Sequence, residues 1–462
     1  MNRFCNILPL LLLFSCTMGP DYEQPQFWSD EEIAKSVGVE RASDKVSVFW
    51  YKIFEDENLN VLIEEALRNG TDVKVALAKL RQSRYVLLIK ETDFLPMFDA
   101  EGQYNYAYAP KYAEFGRKSD YFKVGIDAVW ELDIWGAGRR EKESYQALFA
   151  VAKNNLDSVK LSLTAEVALE YINMRVAQEQ LRISKNNLRL QEDIKNIVKN
   201  KYDAGVADST DLDQAEYAVQ TTKALIPDLA QQEVVYRNSL SVLLGKLPVD
   251  CAEFDDKKYN LTAKTFVFDV KKLRQISIEN LRARPDVKMA ENMLISKNAE
   301  IGQAVAQMFP AVSLQAFLGR QAHSFGSLDS AKNAVYAYAP MIDMPFFHWG
   351  ALQNLVKQNK AIKEEYLYNY QKVLLAAVQD VRNAISAVEK EYDKNEALQK
   401  AANNIKDVLE NMKAKYKQGL VDFSDLLSSE QQLLDAQNNL VASRGALYQK
   451  IVAFYKAIGG GY

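Results

Sequence analysis

Two stretches 214 residues apart read nearly alike: LRNGTDVKVA begins at Leu67 and LRARPDVKMA at Leu281. The spacing holds along the chain. Pro96 falls against Pro310, Trp135-Gly136 against Trp349-Gly350, Lys201-Tyr202 and Gly205 against Lys415-Tyr416 and Gly419, and Asp211-Leu212 against Asp425-Leu426. A constant offset over such a span marks two copies of one unit of about 200 residues. We place the copies at residues 58–250 and 273–462, joined by a polar linker at 251–272 and preceded by an N-terminal segment at 16–57.

Within each copy, period-two alternation predicts two strands. In the first copy, residues 98–109 put Phe98, Ala100, Tyr104 and Tyr106 on one face and Asp99, Glu101, Gln103 and Asn105 on the other. Residues 121–136 set Phe122, Val124, Ile126, Trp130, Leu132 and Ile134 against Lys123, Asp127, Glu131 and Asp133. Residues 312–319 and 336–347 repeat the scheme, with Asp343 on the polar side. Aromatics near strand ends, one apolar face and one acidic face form the pattern of a transmembrane barrel, lipid outside and water inside. A soluble sandwich also alternates. Two hairpins separated by long helices, however, could not cover each other.

Arg139 to Lys201 and Gln353 to Tyr416 contain no proline, and at 1.5 Å per residue each predicts a helical rod of roughly 90 Å. Val167, Met174, Leu181 and Leu188 recur at heptad spacing, as do Leu169, Val176, Ile183, Leu190 and Ile197 two residues out of step. Two residues are about 200° of rotation, so the rod carries opposed apolar seams and packs between two neighbours. Leu367, Leu374, Val381 and Val388 repeat one seam in the second copy, and Val378, Ile385 and Tyr392 form another. Four strands cannot close a barrel, for which about eight are the minimum. Chains must therefore associate, as a dimer, trimer or tetramer, and an open pore favours three or more.

The chain starts MNRFCNILPLLLLFSC: Arg3, then an apolar stretch from Ile7 to Phe14, which has the charge and length of a secretory signal over residues 1–15. Leu13-Phe14-Ser15-Cys16 resembles a bacterial lipobox, which would make Cys16 the lipidated first residue of the mature chain. Removing the signal takes Cys5, and Cys251 is then left without a disulfide partner. With two histidines, His323 and His348, and one free thiol, no structural zinc site is expected; His348 reads as a strand-end residue. A net charge of −4 among 462 residues argues against nucleic acid as a partner. No glycine-rich phosphate loop, metal spacing or nucleophile motif marks an enzyme or calls for a cofactor.

These residues resemble the outer membrane factor family, TolC-like, in its lipoprotein branch. The matching stretches are CTMGPDYEQP after the lipobox, FWYKIFEDENLNVLIEEALRNGTDVKVA, ELDIWGAGRR, KYDAGVADSTDLDQAE, LRARPDVKMAENMLISKNAEIGQA, FPAVSL, PFFHWG and KYKQGLVDFSDLLSSEQQLLDAQNNL, in family order over nearly the whole mature chain. The resemblance implies a mainly α-helical trimer whose 12-stranded barrel crosses the outer membrane and continues as a helical barrel in the periplasm. It also implies a periplasmic adaptor, an inner-membrane transporter of the RND type or similar, and passive conduction.

The same resemblance makes the turns Gly205–Asp208 and Gly419–Asp422 the periplasmic tip where the adaptor docks, with Asp208 and Asp422 positioned as helix N-caps. Relatives often place a leucine ring and an aspartate ring inside the tip. Here those positions are Ser424 and Ser428, which leaves Asp211, Leu420 and Asp425 as gate candidates. The inward acids Asp99, Glu101, Asp127, Glu131, Asp133 and Asp343 outnumber Lys123, so a cation-preferring pore is expected. Some of them could instead pair with Arg139 or Arg140 at the strand–helix junction. The alternative is a lipid-anchored adhesive or structural coiled-coil protein. The sequence does not name the cargo.

Overall fold

A computed structural model describes residues 17–38, 48–108, 118–248 and 278–460. The expected signal peptide, Cys16, Cys251 and the linker 251–272 lie outside the described residues. The chain forms two compact units. One comprises residues 1–25, 79–153 and 289–371, and the other residues 26–78, 154–288 and 372–462.

The first unit holds a four-stranded antiparallel sheet in the order β1 (Met97–Tyr108), β2 (Lys118–Leu132), β3 (Ala311–Ala322) and β4 (Ala334–Asp343). The register puts even-numbered residues on one face throughout. Ala100 lies opposite Ile126, Ile126 opposite Leu318, and Leu318 opposite Tyr336. This face is exposed and apolar, carrying Phe98, Tyr104, Tyr106, Val124, Ile126, Leu318, Tyr336, Tyr338 and Ile342.

The duplication survives in three dimensions. β3 starts and ends 214 residues after β1, and the pairing of Met97 with Val129 recurs as Ala311 with Asp343. Two strands are shorter than expected. β2 stops at Leu132, so Asp133 to Gly136 belong to the turn into the next helix, where Asp133 is held by backbone amides. β4 stops at Asp343, and residues 344–347 carry no ladder; among the described residues no strand pairs with that edge of the sheet.

The long helices are α4 (Ala137–Asp203) and α8 (Ala351–Lys417), each of 67 residues, each followed by a 35-residue helix, α5 (Ser209–Leu243) and α9 (Phe423–Ala457). Before them run α1 (Asp30–Val37), α2 (Glu57–Asn69) and α3 (Thr71–Thr92), while α6 (Ile278–Ala283) and α7 (Pro285–Ala306) open the second copy. In the second unit one seam of α4 is covered at Val167, Met174 and Leu181, and one seam of α8 at Val381 and Val388. The opposed seams are only partly covered: Ile183 and Ile385 are buried, but Ile197 and Tyr392 are exposed. Trp50, Tyr51, Leu59 and Ile63 fill the core against Phe454, with Trp50 stacked on Tyr455 at 5.5 Å.

Candidate functional site

The odd-numbered face of the sheet carries the acids. Asp99 lies opposite Asp127, and Glu131 opposite Ser313. Glu101 accepts a 2.8 Å bond from Lys123 Nζ, which also sits 3.9 Å over the Phe317 ring. Phe317 in turn lies across Gly125 and Gly319, which face each other on β2 and β3. A Cβ on Gly125 would stand 2.5 Å from the Phe317 ring, so the glycines make the bed for the one large aromatic of this face's centre. Asp343 closes β4 opposite Ala311.

Asp133 is a correction. Its carboxylate accepts from the backbone N–H of Gly138 and of Arg139, both at 3.0 Å, and from Arg139 Nε at 3.1 Å. It therefore caps α4, where a negative charge meets the positive end of the helix, and it does not line the polar face. The acids that remain on the odd-numbered face are Asp99, Glu101, Asp127, Glu131 and Asp343.

The N-terminal segment is tied to this junction, which sequence reasoning did not foresee. Met18 N–H donates to Trp135 O at 3.0 Å, and Arg140 donates to the carbonyls of Met18 and Gly19 and to Asp21. Gly19, at φ 89°, lies on Gly302 of α7 with no room for a Cβ on either residue. Thr17 abuts Gly136. The described chain thus begins, at Thr17, beside the strand–helix junction. The small residues at 19 and 302 were the available signal, but nothing local links them.

At the C-terminal ends of the two long helices, in the second unit, the two turns share one geometry. Gly205 and Gly419 adopt φ 75° and 72°. Val206 N–H closes on Lys201 O at 2.8 Å and Leu420 N–H on Lys415 O at 3.0 Å, the six-to-one bond of a left-handed helix end. Asp208 and Asp422 hold extended N-cap conformations, but neither carboxylate accepts a capping bond; Asp208 instead takes one from Ser209 Oγ at 3.2 Å. Beneath the turns Ile194, Val198, Ala215, Leu409, Tyr416, Phe423 and Leu426 form one core. Lys201 joins the two hairpins, its ammonium 3.8 Å from the Tyr416 ring and bonded to Tyr416 O. Burial, helped by the charge of Asp211, pushes the Tyr416 hydroxyl pKa up. Leu420, Asp425, Ser424 and Ser428 are exposed, as is Val206.

Sequence reasoning also missed Glu430. This carboxyl on α9 is 1% exposed, and its Oε1 has no hydrogen-bond partner among the described residues. Desolvation, opposed by Lys413, pushes its pKa up to about 7. Its counterpart in the first copy, Glu216, pairs with Lys195 at 2.6 Å; the counterpart of Lys195 is Leu409. The duplication could have revealed the lost partner.

The profile of the outer membrane efflux protein family matches residues 62–246 and 278–460. The chain belongs to that family. It is 26% identical to the cation efflux system protein CusC of Escherichia coli strain K12, over 99% of both chains. It is 27% identical to the toluene efflux pump outer membrane protein TtgF of Pseudomonas putida, over all of this chain and 97% of that one. The solved outer-membrane channel OprN superposes with a TM-score of 0.84 at 28% identity, covering 96% of this chain and 99% of its own. The fold is TolC-like, with four strands per chain, and the protein is an efflux channel of the outer membrane that extends into the periplasm. These relatives are channels of efflux systems rather than adhesins or enzymes, and the adhesive alternative is dropped.

Proposed function

We propose that three copies of this chain close one barrel and one helical conduit, which passively carries cargo delivered by a periplasmic adaptor and an RND-type inner-membrane pump. The single observation behind this is the sheet: an exposed apolar face, an acidic face and two edges without a partner strand among the described residues. Such a sheet is stable in a bilayer only when its edges are paired, because unpaired backbone N–H and C=O groups in hydrocarbon cost several kcal/mol each. The adaptor docks on the turns at Gly205, Asp208, Gly419 and Asp422. Asp211, Leu420 and Asp425 lie nearest the constriction. Cys16 carries lipid, next to a segment fastened at the strand–helix junction. Cargo is selected by the pump, and the pore adds a charge bias through Asp99, Glu101, Asp127, Glu131 and Asp343.

Fixed carboxylates concentrate cations, more so in low salt, where the Debye length at 0.1 M is about 10 Å and lengthens on dilution. Purified protein in a planar bilayer under a salt gradient should give a cation-selective reversal potential. Asp127→Asn with Glu131→Gln should lower that selectivity several-fold, whereas Asp133→Asn should leave it unchanged. An anion-selective pore, or one indifferent to the double change, would show that the acidic face is not the conduction path.

A further inference from the structure

Phe317 stands on the same side of the sheet as Asp99, Glu101 and Asp127, yet it is only 9% exposed. Its cover comes from the sheet itself. The ring lies against Gly125 and Gly319, where bare backbone takes the place of side chains, and a Cβ on either would stand 2.5 Å from the Phe317 Cζ. A face of the ring is taken by Lys123, whose ammonium sits 3.9 Å from the centroid and donates to Glu101 at 2.8 Å. Among the odd-numbered positions of the four strands Lys123 is the one cation. It bridges β1, β2 and β3.

The strand scaffold does not demand this arrangement, as the duplication shows. By the 214-residue offset the counterparts of Glu101, Lys123 and Gly125 are Gln315, Ala337 and Ala339, and those of Phe317 and Gly319 are Gln103 and Asn105. None of the five is kept, although β1 pairs with β2 in the same register as β3 with β4. Ring, glycine bed, ammonium and carboxylate are present together in one place and missing together from the other. They form a unit.

An aromatic face bordered by carboxylates suits an ammonium ion, above all a quaternary one, which makes no hydrogen bonds and is held by the ring itself. Here Asp127 lies directly opposite Phe317 and Asp99 opposite Asp127, so three acids surround the ring once Glu101 is counted. The geometry points to a seat for an organic ammonium ion on the polar face, filled in the native chain by Lys123. It rests on the reading above that this face lines the conduction path, and it specifies how that path treats a cation. Passage needs attraction strong enough to admit an ion and weak enough to release it. The acids supply the attraction, and the tethered lysine closes the one place where a cation would be retained. A tethered group competes at an effective concentration on the order of millimolar, so a free ion of similar affinity must exceed that level to displace it.

Saturation-transfer NMR with tetramethylammonium chloride, on the purified full chain in detergent, tests the seat. Lys123→Ala installs the residue that the second copy carries at this position; it bares the ring and should raise the transferred signal at least fivefold over the native protein. Lys123→Met removes the same charge but keeps a long flexible side chain over the ring, and should stay near the native signal. So should Lys123→Ala combined with Phe317→Leu. No rise in Lys123→Ala overturns the seat. An equal rise in Lys123→Met, or one that survives Phe317→Leu, traces binding to charge alone and overturns it as well. Occupancy by the lysine is read without either Lys123 variant, by acetylating the protein with a water-soluble reagent and following the Lys123 peptide by mass spectrometry. Phe317→Leu should speed acetylation of Lys123 several-fold relative to the exposed Lys332, and an unchanged rate would show that the ring does not hold the ammonium. A seat upheld by both measurements in a channel whose native reversal potential is anion-selective would keep the ammonium site and overturn its place in the conduction path.

Discussion

Gly205 and Gly419 turn the chain at the ends of the long helices with φ above 70°, and no neighbouring atom comes within 4 Å of where a Cβ would stand. Space is therefore not the constraint; the left-handed backbone is, and it costs a residue with a Cβ roughly 1–2 kcal/mol. Replacing both by valine should rearrange the turns, displace the exposed Val206 and Leu420, and abolish export while the assembly still migrates as a trimer. Normal export from that double variant would remove the turns as the docking surface. Cys16 is the second residue of consequence. Intact-mass measurement of membrane-extracted protein should find the acylated chain beginning there. Three acyl chains at roughly 0.8 kcal/mol per buried methylene make such an anchor permanent. A free Cys16 thiol in that material would end the lipoprotein assignment, whereas Cys16→Ala should still assemble, because the barrel itself resides in the membrane.

Among the elements, α9 carries the charge that its packing can least accommodate. Glu430 is buried with its pKa raised from 4.5 to about 7 by desolvation. Below about pH 4.5 the carboxyl is neutral whether the helices are packed or apart, and packing bears no penalty. As pH rises toward 7 the separated state ionises while the packed state resists, so stability is lost across that window and levels off above it. A raised pKa of this size corresponds to a loss on the order of 3 kcal/mol. Glu430→Gln keeps the shape without the charge, and should raise the melting temperature above pH 7 while leaving it unchanged near pH 4. Equal melting temperatures for both proteins at about pH 8 would mean that Glu430 is hydrated in the native channel. In the first copy the same position costs nothing, since Lys195 pairs with Glu216 at the surface.

On the scale of the molecule, one chain is an incomplete object. Its sheet has two faces suited to different solvents, lipid and water, and two edges suited to neither. In the assembly proposed above, conduction and stability depend on copies meeting edge to edge, and the charge of the pore is that of one chain multiplied by the number of copies. In that assembly the energy for transport comes from the inner-membrane pump. That agrees with a passive conduit whose direction and cargo are imposed by the partner at its periplasmic end.

Periodicity sufficed for the elements. Alternation at Phe122 to Leu132 and heptads from Val167 to Leu188 are local, and an apolar face repeats at the spacing that its backbone dictates. The offset between Leu67 and Leu281 likewise made the pseudo-symmetry legible before any coordinate. Tertiary structure decided which polar groups are free. Asp133 alternates correctly with Glu131 yet leaves the strand to cap α4, because the amides of Gly138 and Arg139 come within 3.0 Å. Asp208 and Asp422 occupy capping positions without capping. Glu430 is an ordinary helix residue in sequence and a buried acid in space, its Oε1 without a hydrogen-bond partner among the described residues. Gly19 meets Gly302 across nearly three hundred residues. Glu430 and Gly19 share one physical reason. Backbone period is written in neighbours along the chain, whereas solvation and hydrogen-bond partners are fixed by whichever distant segment arrives alongside.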